Sequence, residues 1–133
     1  MKLIIPGEPA AKGRPKFTRA GIAYTPKKTV NYETLVKQIY AVEHPGERFT
    51  GMLKAKVTAY FTIPKSASKK QRQAMLDGEI RPQKKPDADN LAKIILDSLN
   101  TIAYDDDKQI VSLTVDKWYS DTPRVEVELL EIS

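Results

Sequence analysis

The sequence predicts an α+β domain, a small mixed β-sheet with helices packed on it. Three observations lead there. Apolar and polar residues alternate through 52–63, with Leu53, Ala55, Val57, Ala59 and Phe61 on one side and Lys54, Lys56, Thr58 and Tyr60 on the other. Alternation returns in 109–118, and an apolar-rich run spans 124–132. Between the strands, residues 29–43 and 88–102 carry apolar side chains at helical spacing.

Element by element, residues 2–5 (KLII) read as a first strand. Residues 6–31 form a basic arm punctuated by Gly and Pro, in which KFTR and IAYT pair as a short hairpin around Ala20-Gly21. The 29–43 helix presents Leu35, Ile39 and Val42 on one face. Ser68 caps a short helix that Gly78 ends. Residues 79–86 are a basic loop bounded by prolines. The 88–102 helix has a core stripe of Leu91, Ile95, Leu99 and Ile102, and a second stripe of Asp89, Lys93 and Asp97. The last two strands close a terminal hairpin through Asp121-Thr122-Pro123.

At 133 residues the chain suits one domain spanning 1–133. No apolar run approaches the roughly 18–20 residues that cross a bilayer. The short N-terminal apolar stretch stops at Pro6 and Gly7, unlike a secretory signal. These features predict a cytoplasmic protein with no membrane partner.

Composition excludes several chemistries. There is no cysteine, hence no disulfide, thiolate ligand or cysteine nucleophile. The one histidine, His44, falls in VEHPGERF and reads as a solvated loop residue. A metal here would bind oxygen ligands, which favours Mg²⁺ or Mn²⁺ over zinc. Charge is divided along the chain. Residues 1–86 hold 18 Lys and Arg against 6 Asp and Glu, while residues 87–133 hold 4 against 11. A basic half fits a polyanion, and an acidic half offers a place for cations.

The chemistry concentrates in residues 84–111, KKPDADNLAKIILDSLNTIAYDDDKQIV. Asp87 or Asp89 can cap the helix that starts there. Asp89–Lys93 and Lys93–Asp97 can equally be ordinary helix ion pairs, and Asp105, Asp106 and Asp107 a solvated turn. Spacing does not close a site. If helix and strand pack antiparallel, the triple aspartate lies about 20 Å from Asp89 at 1.5 Å per residue, unless the turn doubles back or the helix is shorter.

The segment resembles the signature of the RusA family of crossover-junction endodeoxyribonucleases, or Holliday junction resolvases, often encoded by phages and prophages. That signature is a basic stretch, Asp-x-Asp-Asn-Leu, a Lys three residues after the Asn, a later Asp, and Asp-Asp-x-Gln-Val before a strand. Here it reads Lys84-Lys85-Pro86-Asp87-Ala88-Asp89-Asn90-Leu91, Lys93, Asp97, and Asp106-Asp107-Lys108-Gln109-Ile110. IPGEPAAKGRPKFT and AYTPKKTVNYE are also similar to family members, so the resemblance covers nearly the whole chain. Ile110 in place of Val, and two basic residues before Pro86 where some members have three, are small departures.

The resemblance implies a Mg²⁺-dependent endonuclease, with Mn²⁺ as a substitute, that cuts four-way junctions by paired symmetric nicks as a homodimer. It implies Asp87, Asp89 and Asp107 as metal ligands and Lys93 as the essential lysine. Asp106 lies one residue out of register from Asp107, and Gln109 sets the choice between them. Lys93 is read as contacting the scissile phosphate or orienting water. Lys12, Arg14, Lys16, Arg19, Lys27, Lys28, Lys84 and Lys85 are the candidates for phosphate contacts, and Phe17 and Tyr24 for stacking on unpaired bases. The alternatives are cleavage of other branched DNA by the same site, and non-catalytic junction binding.

Overall fold

The computed structural model describes residues 1–132. Its elements in chain order are β1 (Lys2–Pro6), β2 (Lys16–Phe17), β3 (Ala23–Tyr24), α1 (Lys27–Glu43), β4 (Met52–Thr62), α2 (Lys69–Leu76), α3 (Ala88–Leu99), β5 (Ile110–Ser120) and β6 (Arg124–Ile132), with a 3-10 turn at Asp107–Gln109. This is the α+β fold the alternation predicts. The main sheet has the order β1-β6-β4-β5 and is mixed. β6 runs antiparallel to β1 and β4, while β4 and β5 are parallel. A parallel pair needs a long crossover, and α2 and α3 provide it.

The expected terminal hairpin is not formed. β5 and β6 follow one another in sequence, but β4 lies between them. The physical reason is that β4 is the most completely apolar strand on its inner face. Leu53, Ala55, Val57, Ala59 and Phe61 are all buried, and such a strand gains most from neighbours on both edges. Asp121-Thr122-Pro123 carries the chain past the end of β4, and the Pro123 carbonyl accepts a 3.1 Å bond from Gly7 N–H beside β1.

The core fills one face of the sheet. Leu3 and Ile5 of β1, the inner residues of β4, and Val125, Val127 and Leu129 of β6 meet Val36 and Tyr40 of α1 and Leu91, Ile94, Ile95 and Leu99 of α3. Burying each such side chain contributes roughly 1.5–3 kcal/mol. On α1 the buried stripe is Thr29, Val36 and Tyr40, and Val42 is 80% exposed. The aliphatic stripe expected there is therefore displaced by one residue step. Tyr40 explains this: its ring enters the core while its hydroxyl donates to the Glu47 carbonyl, an amphipathic role that a count of aliphatic residues misses. α3 ends at Leu99, three residues earlier than expected, and Ile102 lies half-buried in the turn that follows.

Ser68 caps α2 as predicted, in a reciprocal arrangement with Gln71. The arm hairpin forms, pairing Lys16 with Tyr24 and Phe17 with Ala23. His44 sits at the end of α1, half-buried, with Nδ1 2.8 Å from Glu47 and Nε2 3.0 Å from the Lys2 carbonyl. Among the described residues no helix is long and apolar enough to cross a membrane.

Candidate active site

The basic loop before α3 is pinned to β5. The Arg81 guanidinium lies 3.7 Å from the centre of the Trp118 ring, and its Nε donates 2.8 Å to the Lys117 carbonyl. Lys117 Nζ in turn donates 2.6 Å to the Lys84 carbonyl. Lys84 Nζ stands 5.9 Å from the Phe61 ring centre and Lys117 Nζ 5.2 Å from it. Two ammonium groups thus lie near one aromatic ring, and neither forms an ion pair among the described residues.

Asp87 occupies the N-cap position of α3, yet its side chain makes no capping bond. Asp89 follows in the first turn, where the helix dipole favours negative charge. Both are exposed, and neither has an ion-pair or hydrogen-bond partner for its carboxylate among the described residues. One turn on, Lys93 Nζ lies 3.7 Å from Asp97. Asp97 also receives Lys12 Nζ at 3.3 Å, and Lys12 bonds Glu33 at 2.8 Å. Burial alone would depress the Lys12 ammonium, but the two carboxylates outweigh it and hold it above its ordinary value.

After α3 the chain doubles back. Thr101 takes a left-handed φ of 71°, and Tyr104 folds under the helix, fully buried, to donate 2.6 Å to the Leu96 carbonyl. Arg48 ties the outside of the bend, donating 2.8 Å to the Thr101 carbonyl and 2.7 Å to Asp105. Gln109 then fastens the acidic turn at four points. Its Oε1 accepts from Asp105 N at 2.8 Å and Asp106 N at 3.0 Å, and its Nε2 donates to Phe49 O at 3.0 Å and Gly51 O at 3.1 Å.

This return separates the roles of two neighbouring aspartates. Asp106 caps the 3-10 turn by accepting Lys108 N–H at 2.9 Å, and that bond holds its carboxyl below its ordinary value. Asp107 does no capping. Partial desolvation raises its carboxyl, and so do Asp106 and the negative charge of Asp97, against an opposing pull from Lys93. Asp107 thus lies within electrostatic reach of Lys93 and Asp97.

Of the predicted site residues, Asp107 and Lys93 lie within electrostatic reach of each other, and Lys93 pairs with Asp97. Asp87 and Asp89 lie towards the start of α3; at 1.5 Å rise per residue, Asp89 is about 6 Å along the axis from Lys93. Among the described residues no three acidic or imidazole side chains converge closely enough to hold a metal ion, so Asp87, Asp89 and Asp107 are not gathered into a closed ligand set. Of the eight predicted phosphate contacts, Lys12 is tied to protein carboxylates. Arg14, Lys16, Arg19, Lys27, Lys28, Lys84 and Lys85 are exposed and make no ion pair among the described residues. Phe17 is 68% and Tyr24 48% exposed on the arm hairpin.

Residues 6–130 match the family model described as endodeoxyribonuclease RusA. The chain belongs to this family. It is also 38% identical to an uncharacterized protein, YqaN, of Bacillus subtilis (strain 168), over 100% of this chain and 97% of that protein. RusA membership carries endonuclease action on DNA, and the unspent carboxylates beside basic side chains are in keeping with it. One neighbour of the basic loop is not legible in the sequence: Lys117 joins Lys84 only through the tertiary fold, 33 residues apart.

Proposed function

We propose that the protein is a Mg²⁺-dependent endonuclease that resolves four-way DNA junctions by paired nicks, as a homodimer acting in the cytoplasm. The observation that carries the reading is the division of labour among the aspartates. Asp106 is spent on backbone, Asp107 meets the Asp106 carboxyl within electrostatic reach of Lys93, and Asp87 and Asp89 keep their carboxylates free of protein partners among the described residues.

The donor set fits a hard cation. It is all carboxylate oxygen, and the negative charge crowded around Asp107 is what a bound cation relieves. A complete protein cage is not required, because Mg²⁺ keeps several waters and takes one or two carboxylates together with substrate phosphate. Asp87, Asp89 and Asp107 are the proposed ligands, with Mn²⁺ an acceptable substitute. Magnesium, when bound, supplies Lewis-acid polarisation of the phosphoryl oxygen and an acidified water.

The chain's own residues do the rest. Lys93, 61% exposed on its side chain, contacts the scissile phosphate and offsets its charge. Asp97, held by Lys12, restrains Lys93. The free cations of the arm, with Lys84, Lys85 and Lys117, bind the DNA backbone, each neutralised phosphate adding roughly 0.9 to the salt-dependence slope. A two-fold dimer sets two such sites on opposing strands, which resolution of a four-way junction requires.

The test is a labelled four-way junction and a matching linear duplex, each with Mg²⁺ and with EDTA. Symmetric nicks in the junction alone, abolished by EDTA, are expected. Asp89→Asn should bind the junction at least as well as wild type and fail to cut it. Tight binding without cleavage in Mg²⁺ or Mn²⁺ would make this chain a binding module, and equal cutting by Asp89→Asn would remove Asp89 from the metal site.

A further inference from the structure

The arm between β1 and α1 stands out from the body of the protein. Residues 14–25 are all exposed, and among the described residues no hydrogen bond or ion pair joins them to the rest of the chain. Among themselves they form a hairpin. Lys16 pairs with Tyr24 and Phe17 with Ala23, and Thr18 N–H bonds the Ile22 carbonyl at 2.9 Å. The root of the hairpin is fixed. Gly13 N–H bonds Thr29 Oγ1 at 2.9 Å, and a Cβ on Gly13 would stand 2.8 Å from that oxygen. Lys12 bonds Glu33 of α1 at 2.8 Å and meets Asp97 of α3 at 3.3 Å. The hairpin is thereby anchored to the helix that carries Lys93.

Two features say what the hairpin meets. The first is charge. From Pro9 to Tyr32 there are six Lys and Arg and no Asp or Glu, a field of one sign that fits a polyanion. The second is apolar surface. Phe17 is 68%, Ile22 64% and Tyr24 48% exposed, on an isolated two-stranded hairpin that is marginally stable by itself. Successive residues of a strand point to opposite faces. Phe17 therefore shares one face with Ala23, and Tyr24 shares the other with Lys16 and Ile22. A hairpin with a ring on each face suits a gap with stacking surface on both sides and phosphates around it. Bases opened at a DNA branch point supply that gap, because every base has a face that stacks on an aromatic ring. The closed base stack of a linear duplex does not. From Gly13 to Thr18 the chain can span up to about 16 Å, against a major groove about 8.5 Å deep, so the tip can reach the bases.

We infer that the 14–25 hairpin is a wedge that enters the opening at the branch point. Phe17 on one face and Tyr24 with Ile22 on the other stack against bases there, while Arg14, Lys16 and Arg19 take the surrounding phosphates. Apolar side chains inserted between base steps unstack them, and the cost is least where pairing is already disturbed. Branch recognition is then a property of the arm, separate from the aspartates assigned to cutting. The inference rests on the nuclease reading for its substrate.

The test uses the full-length protein, a four-way junction carrying 2-aminopurine at each branch-flanking position in turn, and the matching linear duplex, in EDTA so that no cutting occurs. On saturation with wild type, fluorescence should rise severalfold at one or more branch positions and stay flat in the duplex. The double variant Phe17→Ala, Tyr24→Ala should lose the rise. It should bind the junction at least about fivefold more weakly, the low end for one stacked ring, and its preference for junction over duplex should shrink by the same factor. The double variant Phe17→Tyr, Tyr24→Phe keeps both rings and should keep the rise. Neither variant should melt lower than wild type, because both rings are exposed. No rise at any branch position in a saturated wild-type complex, a rise that persists without the rings, or a rise lost with the rings kept would each overturn the inference. So would an equal loss of affinity for junction and duplex, which places the hairpin in a groove, or a lowered melting temperature, which places the rings against the protein. Cleavage in Mg²⁺ without any fluorescence change removes the wedge alone. A fluorescence change without cleavage in Mg²⁺ upholds the wedge and removes the nuclease reading. Failure to bind the junction removes both.

Discussion

Gln109→Ala should uncouple the acidic turn from the sheet. The side chain makes four hydrogen bonds, two into the 105–106 backbone and two into the segment leading to β4. At about 0.5–1.5 kcal/mol each, they sum to about 2–6 kcal/mol. The turn is partly exposed, so water can recover some of the freed amides and carbonyls, and the expected loss is about 2–3 kcal/mol. Urea denaturation should show it as a lowered midpoint at unchanged slope. Because Gln109 fixes the backbone immediately before Asp107, junction cleavage should fall at least tenfold at a temperature where the variant is folded. Junction affinity should change little, since Gln109 is not among the basic groups assigned to phosphate. Wild-type cleavage by a destabilised variant would refute the link from Gln109 to Asp107. A stability loss below about 0.5 kcal/mol would refute the hydrogen-bond accounting itself.

Tyr104→Phe removes the bond to the Leu96 carbonyl under α3 and should cost about 1–2 kcal/mol by denaturation; a neutral result would mean that the buried carbonyl finds another donor. Thr101→Gly should stabilise by about 1 kcal/mol, because a β-branched residue is strained at a φ of 71°, and no gain would show that the bend is set by Arg48 alone. Burial raises the Glu126 carboxyl, but hydrogen bonds from Arg124 and Lys2 outweigh it and hold it below its ordinary value. Its contribution is therefore present above the carboxylate range and lost as pH falls through it. Glu126→Gln should be less stable than wild type at pH 7, by about 0.5–1 kcal/mol, and the gap should close below about pH 4.3; a gap constant with pH would rule out ion pairing as its source.

Much of the fold is legible in local pattern because local pattern reports burial. The alternation of β4 follows its one-sided contact with the core, and the α3 stripe of Leu91, Ile95 and Leu99 follows its packing on the sheet. Strand order is a different matter. Nothing in 109–132 announces that β4 will sit between β5 and β6, because a three-residue connection reads as a hairpin turn whether or not a strand intervenes. The site divides similarly. The aspartates and Lys93 stand out as a motif, and Gln109 marks Asp107 by register. The course of the chain between them was not legible, because it depends on Tyr104 turning under α3 and on Gln109 reaching residues 58 and 60 positions away. Lys12 reads as one more arm cation until the fold sets Glu33 and Asp97 beside it.

The placing of β6 has a consequence for biosynthesis. Residues 124–132 pair with β1 on one side and β4 on the other, so β1 and β4 are bridged by a strand made after both. Until that strand has left the ribosome, β1 has no partner in the main sheet and β4 presents a long unpaired edge. Contacts this distant in sequence form slowly, after most of the loop-closure entropy has been lost. Translation must thus pass β6 before the platform under the aspartates closes, and a chain interrupted near Pro123 would expose sticky strand edges rather than a working nuclease.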